Sequence, residues 1–326
     1  MRSSARRRRR RADFSEGMGF MEPKWIDVQV NGRIGIPFNS PELTEAEVLK
    51  LTEHLRDEGT AGFVASITTT CAPETAVRNI RTIVAARKRY AECEKRILGL
   101  HFEGPFISTV KGYVGAHDPA RVCDPDIALL ERYQDAAEGL VRLVTIAAEA
   151  KGAEEFTRQA TAMGVTVSIG HSTAWEPEVI GRLAEAGAKS FTHLGNALPA
   201  LLPRHDNVIW TGLAEDRMMV QFIPDGFHLR KEILRVYTRA VPLERLVAVS
   251  DCSFPGGLPP GEYNLHGDRF FLEPNGFLRS AAGTLHGSSC TMAQAMRNLA
   301  DPYIGFTERE LQAVGHDNPL RLIGLA

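Results

Sequence analysis

The sequence predicts a (β/α)8 barrel, a closed ring of eight parallel strands separated by helices. Apolar, strand-like segments alternate with amphipathic helical segments over most of the chain, and eight such strands can be counted. Eight strand-helix units in 326 residues favour a closed barrel over an open doubly wound sheet. The predicted strands are 24–31, 62–69, 96–103, 141–148, 165–170, 189–194, 219–224 and 245–250.

The segments between these strands predict the helices of the barrel. In the first of them, apolar residues recur at helical spacing and Gly59 follows as a stop signal. The same spacing predicts helices at 44–58, 74–91, 126–134, 153–162, 176–186 and 229–240. After the eighth strand, residues 261–280 alternate around two turn signals, which predicts a small antiparallel insert. Helices at 290–300 and 307–314 complete the chain.

Composition and charge restrict the classes of function. The net charge of −2 includes seven arginines among residues 1–11; without them it is −9, which does not fit a nucleic-acid-binding protein. No apolar run approaches the roughly 18 residues of a membrane span. The five cysteines are odd in number and lack CxxC spacing, which argues against disulfides or a cysteine-built zinc site. We therefore expect a protein of the reducing cytoplasm that binds neither nucleic acid nor membrane.

Residues 1–23 are expected to form a basic, disordered extension, and residues 24–326 a single barrel domain. The arginine run has three interpretations: an arm for nucleic acid or membrane, a targeting segment, or translation from an upstream start codon. No apolar segment of a secretory signal follows the arginines. We favour a disordered or upstream extension, with Met18 or Met21 as alternative starts, because nothing periodic precedes Trp25.

Polar residues collect at the carboxyl ends of the predicted strands. These residues are Gln29 and Asn31 (strand one), His101 and Glu103 (three), His171 (five), His193 (six), Asp225 and His228 (seven), and Asp251 (eight). The carboxyl ends of all eight strands converge on one mouth of a barrel, so we expect these side chains to meet. Two imidazoles and a carboxylate are ligands of catalytic Zn²⁺, and an aspartate near the bound water could accept its proton. The group therefore suggests metal-assisted hydrolysis.

Each of these residues also has a structural alternative. A lone histidine in a strand is usually a hydrogen-bonded core residue, and His101, two residues before Glu103, is as well explained as a supporting residue. Asp251 could cap a helix, and Asp225 could simply form a turn. Cys252 is expected to be a packed side chain rather than a nucleophile, because the adjacent acid raises the pKa of the thiol. Most of the remaining histidines, which lie in loops or the insert, are expected to be solvated: His205, His266, His286 and His316.

Eight short motifs occur in a fixed order along the chain. They are 25–32 (WIDVQVNG), 98–106 (LGLHFEGPF), 115–117 (GAH), 169–172 (IGHS), 192–197 (THLGNA), 225–228 (DGFH), 249–251 (VSD) and 287–289 (GSS). Each motif is weak alone, but the ordered set resembles the N-acetylglucosamine-6-phosphate deacetylases of the amidohydrolase superfamily. The resemblance extends from residue 25 to about residue 322 and implies a barrel of the metal-dependent amidohydrolase type.

The resemblance also implies a reaction and a set of site residues. The reaction is hydrolysis of the acetamide of an N-acetyl amino sugar 6-phosphate to acetate and the amino sugar phosphate. Glu103, His171 and His193 match the ligands of the metal that activates water, and Asp251 matches the general base and acid. The residues that match substrate contacts are His117 near the amide, and Asn196, Ala197, Arg204 and His228 at the sugar and phosphate.

The first strand sets the expected number of metal ions. Many amidohydrolases have His-x-His there, which supports a second metal, whereas this chain has Gln29 and Asn31 as in the mononuclear subgroup. We expect one divalent ion, with zinc as the first choice and iron, cobalt or manganese as alternatives. Members of this family also carry a small β-sandwich, for which this chain has little sequence. We expect a nearly bare barrel that pairs as a homodimer, across which Arg204 reaches the neighbouring substrate phosphate.

Departures from the family pattern lie at the substrate end. Residues 205–210 read HDNVIW where the family has Glu-Pro-Gly and small residues. Val114 occupies a position where a basic residue is expected, with Lys111 nearby, and Pro224 replaces a small residue. Two alternatives therefore stay open: a hydrolase with the same metal centre acting on a different N-acyl or cyclic amide, and a metal-binding homologue without catalysis.

Overall fold

The computed structural model describes residues 23–265, 267–281 and 283–326, and eight parallel strands form one sheet in chain order. These strands are β1 (Trp25–Val30), β4 (Thr60–Thr68), β5 (Ile97–Glu103), β6 (Val141–Ile146), β7 (Thr166–Ile169), β8 (Ser190–Phe191), β9 (Met219–Phe222) and β10 (Leu246–Ala248). A parallel bridge between Val30 and Cys252 joins the end of β1 to the chain just after β10. This contact brings the first and last strands together, and the predicted (β/α)8 barrel is confirmed. A short hairpin of β2 (Gly32–Arg33) and β3 (Ile36–Pro37) follows β1.

Helices cover the outside of the sheet. They are α1 (Glu45–Asp57), α2 (Pro73–Arg89), α3 (Ala91–Arg96), α4 (Ile127–Ala136), α5 (Ala153–Ala162), α6 (Pro177–Ala186), α7 (Val208–Ala214), α8 (Lys231–Ala240), α9 (Met292–Leu299), α10 (Glu308–Gln312) and α11 (Asn318–Leu322), with a π-helical turn at Ala313–Asp317. In α1, Thr44 and Glu47 form a reciprocal capping box, and Val48 and Leu51 lie on the buried face. Helices α3, α7 and α11 were not predicted, because five to seven residues are too few to show a helical period.

The chain after β10 forms the predicted antiparallel insert. It consists of β11 (Gly261–Leu265), β12 (Asp268–Leu272) and β13 (Leu278–Ser280), paired in that order. Phe254, Phe270, Leu272 and Leu278 make its apolar core. The insert therefore has a small core of its own, next to the carboxyl end of the last barrel strand.

The amino end of the barrel is closed by α11. Leu322 and Ile323 pack against residues of β1 and β10, and the Thr166 hydroxyl donates to the Leu322 carbonyl at 2.8 Å. The open mouth is therefore at the carboxyl ends of the strands. None of the helices in the described ranges is long and apolar enough to cross a bilayer. The predicted basic extension lies, up to residue 22, outside the described residues, as does His266.

Candidate active site

Four predicted residues meet at the mouth of the barrel. Glu103 is the last residue of β5, and His171, His193 and Asp251 follow β7, β8 and β10 within three residues. His193 Nε2 lies 2.8 Å and His171 Nε2 3.1 Å from Glu103 Oε1. All four side chains are buried, and one donor atom from each of Glu103, His171 and His193 falls within 4.8 Å of the others. These four residues therefore meet at the carboxyl ends of the strands, as predicted.

Three of these residues have left-handed backbone conformations. The φ angles are 51° at His171, 31° at His193 and 48° at Asp251. Such angles are uncommon outside glycine and cost about 1–3 kcal/mol each, so the surroundings must impose them. The carbonyl of each residue accepts a backbone N–H, from Ser108, Asn196 and Ser288 respectively, at 2.8–3.0 Å. Strain at the strand ends turns these side chains into the mouth.

The hydrogen bonds of His171 show that the group suits a cation. Its Nδ1 lies 2.9 Å from the Tyr113 carbonyl, which can only accept, so Nδ1 carries the proton. In the neutral ring, Nε2 then presents a lone pair to Glu103 Oε1, and the two lone pairs repel. A positive charge between them removes the repulsion, which is the usual arrangement of a metal-bound histidine.

Distances and charge agree with this assignment. Two donors that share a tetrahedral ion through bonds of about 2 Å lie roughly 3.3 Å apart, close to the separations at Glu103 Oε1. Burial alone would raise the pKa of Glu103, but its contacts with His171 and His193 hold that pKa well below the usual range. His193 Nδ1 is buried without a partner among the described residues. The donor set therefore fits one divalent ion.

Asp251 lies beside this group and is oriented by two amides. Asn31 Nδ2 donates to Asp251 Oδ1 at 2.6 Å, and Gln29 Nε2 lies 3.1 Å from Asp251 Oδ1 and 2.9 Å from Glu103 Oε1. Burial and the charge of Glu103 raise the pKa of Asp251 to about 6, which suits a group that both takes and returns a proton near neutral pH. Asp251 does not cap a helix.

His117 comes to the same group from the loop after β5. The Thr69 amide N–H donates to His117 Nδ1 at 3.2 Å, so the proton of the neutral ring is on Nε2, which lies 3.8 Å from Glu103 Oε2. Burial lowers the pKa of His117 to about 3, which keeps the ring neutral. Gly115 has φ 61°, and a Cβ there would lie 2.9 Å from His171 Cε1, so only glycine allows this approach. His117 can therefore donate a hydrogen bond beside the three residues that could hold a metal.

The residues expected at the sugar and phosphate are more dispersed. His228 Nδ1 donates to Asp225 Oδ2 at 2.7 Å, and Asp225 Oδ1 also accepts the N–H groups of residues 227 and 228. Asp225 thus forms the expected turn and, in addition, orients His228. Asn196 and Ala197 follow His193, with φ 51° at Ala197. Arg204 is exposed, makes no ion pair within the described part of the chain, and is not brought to the metal group.

Two other histidines differ in their surroundings. His101 is fully buried between the hydroxyls of Ser66 and Thr145, at 3.0 and 2.8 Å, and burial lowers its pKa to about 4. It is a supporting residue, outside the group that could hold a metal. Most of the four histidines in loops or the insert were expected to be solvated; His286 is half-buried, and its ring packs edge-on against Phe270. Sequence reasoning also missed the amide of Thr69, which carries no side-chain signal.

Known proteins similar to this chain are amino sugar phosphate deacetylases. It is 33% identical to the N-acetylgalactosamine-6-phosphate deacetylase of Shewanella sp. (strain ANA-3), over 86% of this chain and 69% of that protein. It is 31% identical to the N-acetylglucosamine-6-phosphate deacetylase of Homo sapiens, over 97% and 78%. No family model matches the chain.

Solved structures of such enzymes share the fold. The N-acetyl-D-glucosamine-6-phosphate deacetylase of Mycobacterium smegmatis superposes with a TM-score of 0.83 at 31% identity, over 93% of this chain and 78% of that one. The enzyme of Thermotoga maritima gives a TM-score of 0.80 at 26% identity, over 93% and 79%. The similarity therefore covers nearly all of the present chain and about three quarters of each solved structure.

Proposed function

The chain belongs to the N-acetylglucosamine-6-phosphate deacetylase family, and we propose that it hydrolyses the acetamide of an N-acetyl amino sugar 6-phosphate. Relatives are named for either the glucosamine or the galactosamine substrate. The observation that carries the proposal is the buried group of Glu103, His171 and His193 with Asp251 beside it. Hydrolysis of an unactivated amide requires a metal ion that activates water and a group that carries the proton, and these four residues can provide both.

Glu103, His171 and His193 would hold one divalent ion, for which we propose zinc, with iron, cobalt or manganese as alternatives. Imidazole and carboxylate ligands suit all four metals, so the ligand types do not select among them. When bound, the ion would supply the Lewis acidity that lowers the pKa of a coordinated water and polarises the amide carbonyl. Metal analysis of the purified protein identifies the ion.

Asp251 carries the proton through the reaction. Its Oδ1 is held by Asn31 and Gln29, which leaves Oδ2 to accept a proton from the attacking water. Water oxygen then bonds to the acyl carbon, and the carbon–nitrogen bond breaks. Asp251 returns the proton to the departing nitrogen, so the products are acetate and the amine. One aspartate thus serves first as base and then as acid.

His117 and the loop residues orient the substrate. His117 Nε2–H can donate to the acyl oxygen as negative charge develops on it. We assign the sugar and its phosphate to the backbone at Asn196 and Ala197 and to His228, whose ring Asp225 holds in place. The neutral His117 and the charged metal group therefore act at the amide end, and His228 acts at the sugar end.

Replacing Asp251 by Asn tests the assignment of the proton carrier. The substitution keeps the shape of the side chain but removes the base, so acetate release should fall by about 10²–10⁴-fold while the metal stays bound. Acetate release is measured on the 6-phosphates of N-acetylglucosamine and N-acetylgalactosamine, on the unphosphorylated sugars, and on other N-acyl and cyclic amides. Substantial activity in the Asn variant would refute the role of Asp251. Wild-type turnover of only the other amides would favour the alternative substrate class, and no turnover of any compound would favour a non-catalytic homologue.

We further propose that two copies pair and that Arg204 reaches the phosphate in the partner's site. Exposed apolar side chains on either side of Arg204 in the chain support this pairing: Leu201 is 90% and Trp210, in α7, 54% exposed. A mixture of Arg204→Ala and Asp251→Asn proteins should regain activity, because one site of each mixed dimer has both residues intact. A monomer in sedimentation, or no recovery on mixing after subunit exchange, would contradict the pairing.

We also propose a cytoplasmic enzyme, as its cysteines suggest. All five are free thiols, and Cys93, Cys252 and Cys290 are buried. Burial raises the pKa of Cys252 to about 12, so this thiol stays protonated and serves as a packed side chain. A protein in a reducing compartment is rarely stabilised by disulfides. Measuring the redox state of the five thiols in cell extracts tests the assignment.

A further inference from the structure

Asn39, in the turn after β3, bridges the residues on either side of Thr69. Its side chain is buried, and Oδ1 accepts the backbone N–H of Thr68 at 3.2 Å, which fixes the orientation of the amide. Its Nδ2 donates to the hydroxyls of Thr68 and Thr70, the second at 2.8 Å. Because Thr68 is the last residue of β4, this one side chain clamps the chain where it leaves the barrel sheet.

Asn39 is itself held from helix α2. Asn79 is fully buried, and its Nδ2 donates to the carbonyls of Phe38 and Ser40 at 2.8 and 2.9 Å. These are the residues on either side of Asn39. Two buried amides therefore act in series, since that of Asn79 fixes the turn and that of Asn39 fixes the end of β4.

The clamped residue, Thr69, contacts the active site through both its backbone and its side chain. Its amide N–H donates to His117 Nδ1 at 3.2 Å, and its hydroxyl donates to the Glu103 carbonyl at 3.0 Å. Gly104 has φ 86°, and a Cβ there would overlap the Thr69 hydroxyl oxygen, so only glycine allows this close approach. The position of Thr69 therefore determines whether His117 Nδ1 meets its donor.

This donor decides which nitrogen of His117 carries the proton. A backbone N–H can only donate, so Nδ1 presents its lone pair and the proton lies on Nε2. Nε2 is 3.8 Å from Glu103 Oε2, which is beyond hydrogen-bond distance, so that carboxylate does not take this proton. In the other tautomer Nε2 would present a lone pair to the acyl oxygen, and repulsion would replace the hydrogen bond.

We propose that Asn39 is a positioning residue, which clamps the end of β4 so that the Thr69 amide keeps His117 in the Nε2–H tautomer. The inference rests on the proposed deacetylase function and adds to it a residue that acts through Thr69 rather than on the substrate. The hydrogen bond from His117 strengthens as negative charge develops on the acyl oxygen. Loss of Asn39 should therefore weaken stabilisation of the transition state more than binding of the substrate.

Steady-state kinetics of Asn39→Ala tests the effect on the reaction. On the 6-phosphates of N-acetylglucosamine and N-acetylgalactosamine, kcat should fall about ten-fold with KM nearly unchanged, a smaller effect than the roughly 10²–10³-fold loss on outright removal of such a donor. Asn39→Asp should restore most of the activity, because its carboxylate can accept from the Thr68 N–H and from both hydroxyls.

Asn318→Ala is the matched control. Asn318 is also buried, and its Nδ2 donates to the carbonyls of Leu243 and Leu246 at 2.8 and 2.7 Å, at the closed end of the barrel. Its replacement should lower stability without changing kcat.

Nitrogen-15 NMR of the histidine rings measures the tautomer and does not depend on turnover. The full-length protein is labelled at histidine and measured with and without added Zn²⁺, and the His117 signals are assigned from their loss in His117→Gln. In the wild type and in Asn318→Ala, Nδ1 of His117 should have the shift of an unprotonated nitrogen. In Asn39→Ala the shifts of the two ring nitrogens should approach each other, because the ring then samples both tautomers.

The outcomes separate the inference from the proposed function. If Asn39→Ala does not fold, Thr70→Val, which keeps the shape but removes one hydroxyl, should change the tautomer and kcat in the same direction to a smaller extent. A wild-type tautomer in these variants, or an equal loss of kcat in Asn318→Ala, overturns the inference while wild-type deacetylation stands. Absence of wild-type deacetylation refutes the proposed function, and the NMR measurement then decides whether Asn39 sets the tautomer.

Discussion

The floor and the rim of the pocket are built in different ways. We define the floor as Glu103, His171, His193 and Asp251, and the rim as residues 196–210 together with the insert and the loop to residue 291. Floor side chains are buried, and three of the four have left-handed backbone angles. Rim side chains include Leu201 and Trp210, both more than half exposed. The floor is thus fixed by strand ends, whereas the rim depends on loops.

This difference separates the chemistry from the choice of substrate. Glu103, His171 and His193 lie close enough to share one ion, and Gln29 links Glu103 to Asp251, so a change at any of these residues should affect the metal group or the proton transfer for every substrate. Rim residues reach the floor through backbone contacts, from the N–H groups of Asn196 and Ser288 to the carbonyls of His193 and Asp251, and we expect their side chains to touch the substrate rather than the metal. Floor variants should therefore lower turnover of all substrates in proportion, and rim variants should change the ratio between substrates.

The largest effect is expected at the floor, from Glu103→Gln. The neutral amide keeps the shape but removes the proposed anionic ligand, so metal content and activity should be lost together. Metal analysis by mass spectrometry and acetate release measure the two effects, with Glu262→Gln, which removes an exposed carboxylate paired with Arg269, as the control. A Gln variant that retains stoichiometric metal and turnover would show that Glu103 is not a ligand.

A smaller effect, a loss of about ten-fold in metal affinity and kcat, is expected from His101→Asn beneath the floor. His101 joins Ser66 to Thr145, and Thr145 joins Thr192, the residue before His193, at 2.8 Å. Asn is too short to span both hydroxyls, so the strand end that carries His193 should loosen and metal affinity and kcat should fall only partly. Equal loss on all substrates supports a positioning role. Complete loss of metal from a folded variant would instead make His101 as important as a ligand.

The positions of the floor residues could be predicted from the sequence because the prediction does not depend on exact strand boundaries. Glu103, His171, His193 and Asp251 each follow an apolar strand, and the ends of parallel strands converge even when a boundary is wrong by a few residues. The order of the motifs then gave their roles by resemblance. Local patterns and one topological rule were therefore enough to bring residues far apart in sequence to one place.

The rim could not be predicted in the same way. The position of His286 depends on how the insert packs, through Phe270, and no spacing in the sequence reports that contact. The tautomer of His117 depends on a backbone amide, that of Thr69, which any residue type could supply. Helix α7 was too short to show a period, so the environment of Trp210 was also missed. These features arise from tertiary packing.

At the rim, Trp210→Phe should change substrate preference by a few-fold. The indole N–H donates to the Arg204 carbonyl at 2.9 Å, so it fixes the backbone of the proposed phosphate contact. Phe keeps an aromatic ring but loses the donor, at a cost of about 1 kcal/mol, or roughly five-fold. KM for the phosphorylated sugar should rise with kcat unchanged, and the unphosphorylated sugar should be unaffected. A parallel loss of kcat on both sugars would place Trp210 with the floor.

The smallest effect on activity is expected from Asp27→Asn, below the floor. This substitution should change the stability of the fold but leave catalysis nearly unchanged. Burial raises the pKa of Asp27 from 3.8 to about 6, although the hydrogen bonds from Ser250 oppose the shift. A folded-state pKa above the unfolded value means that this group stabilises the fold fully below pH 3.8 and loses that contribution as the pH rises through about 6.

The unfolding free energy of the wild type, minus that of the Asn variant, should therefore fall by about 2 kcal/mol between pH 4 and pH 7, since each pKa unit corresponds to about 1.4 kcal/mol and part of the loss has already occurred at pH 4. Urea unfolding of the metal-free proteins at several pH values measures this difference, and acetate release by the metal-loaded proteins should be nearly equal. A difference that does not vary with pH would mean that Asp27 titrates alike in the folded and unfolded chains. A large loss of activity would mean that Asp27 also supports catalysis, because Ser250, which binds Asp27, directly precedes Asp251, the proposed proton carrier.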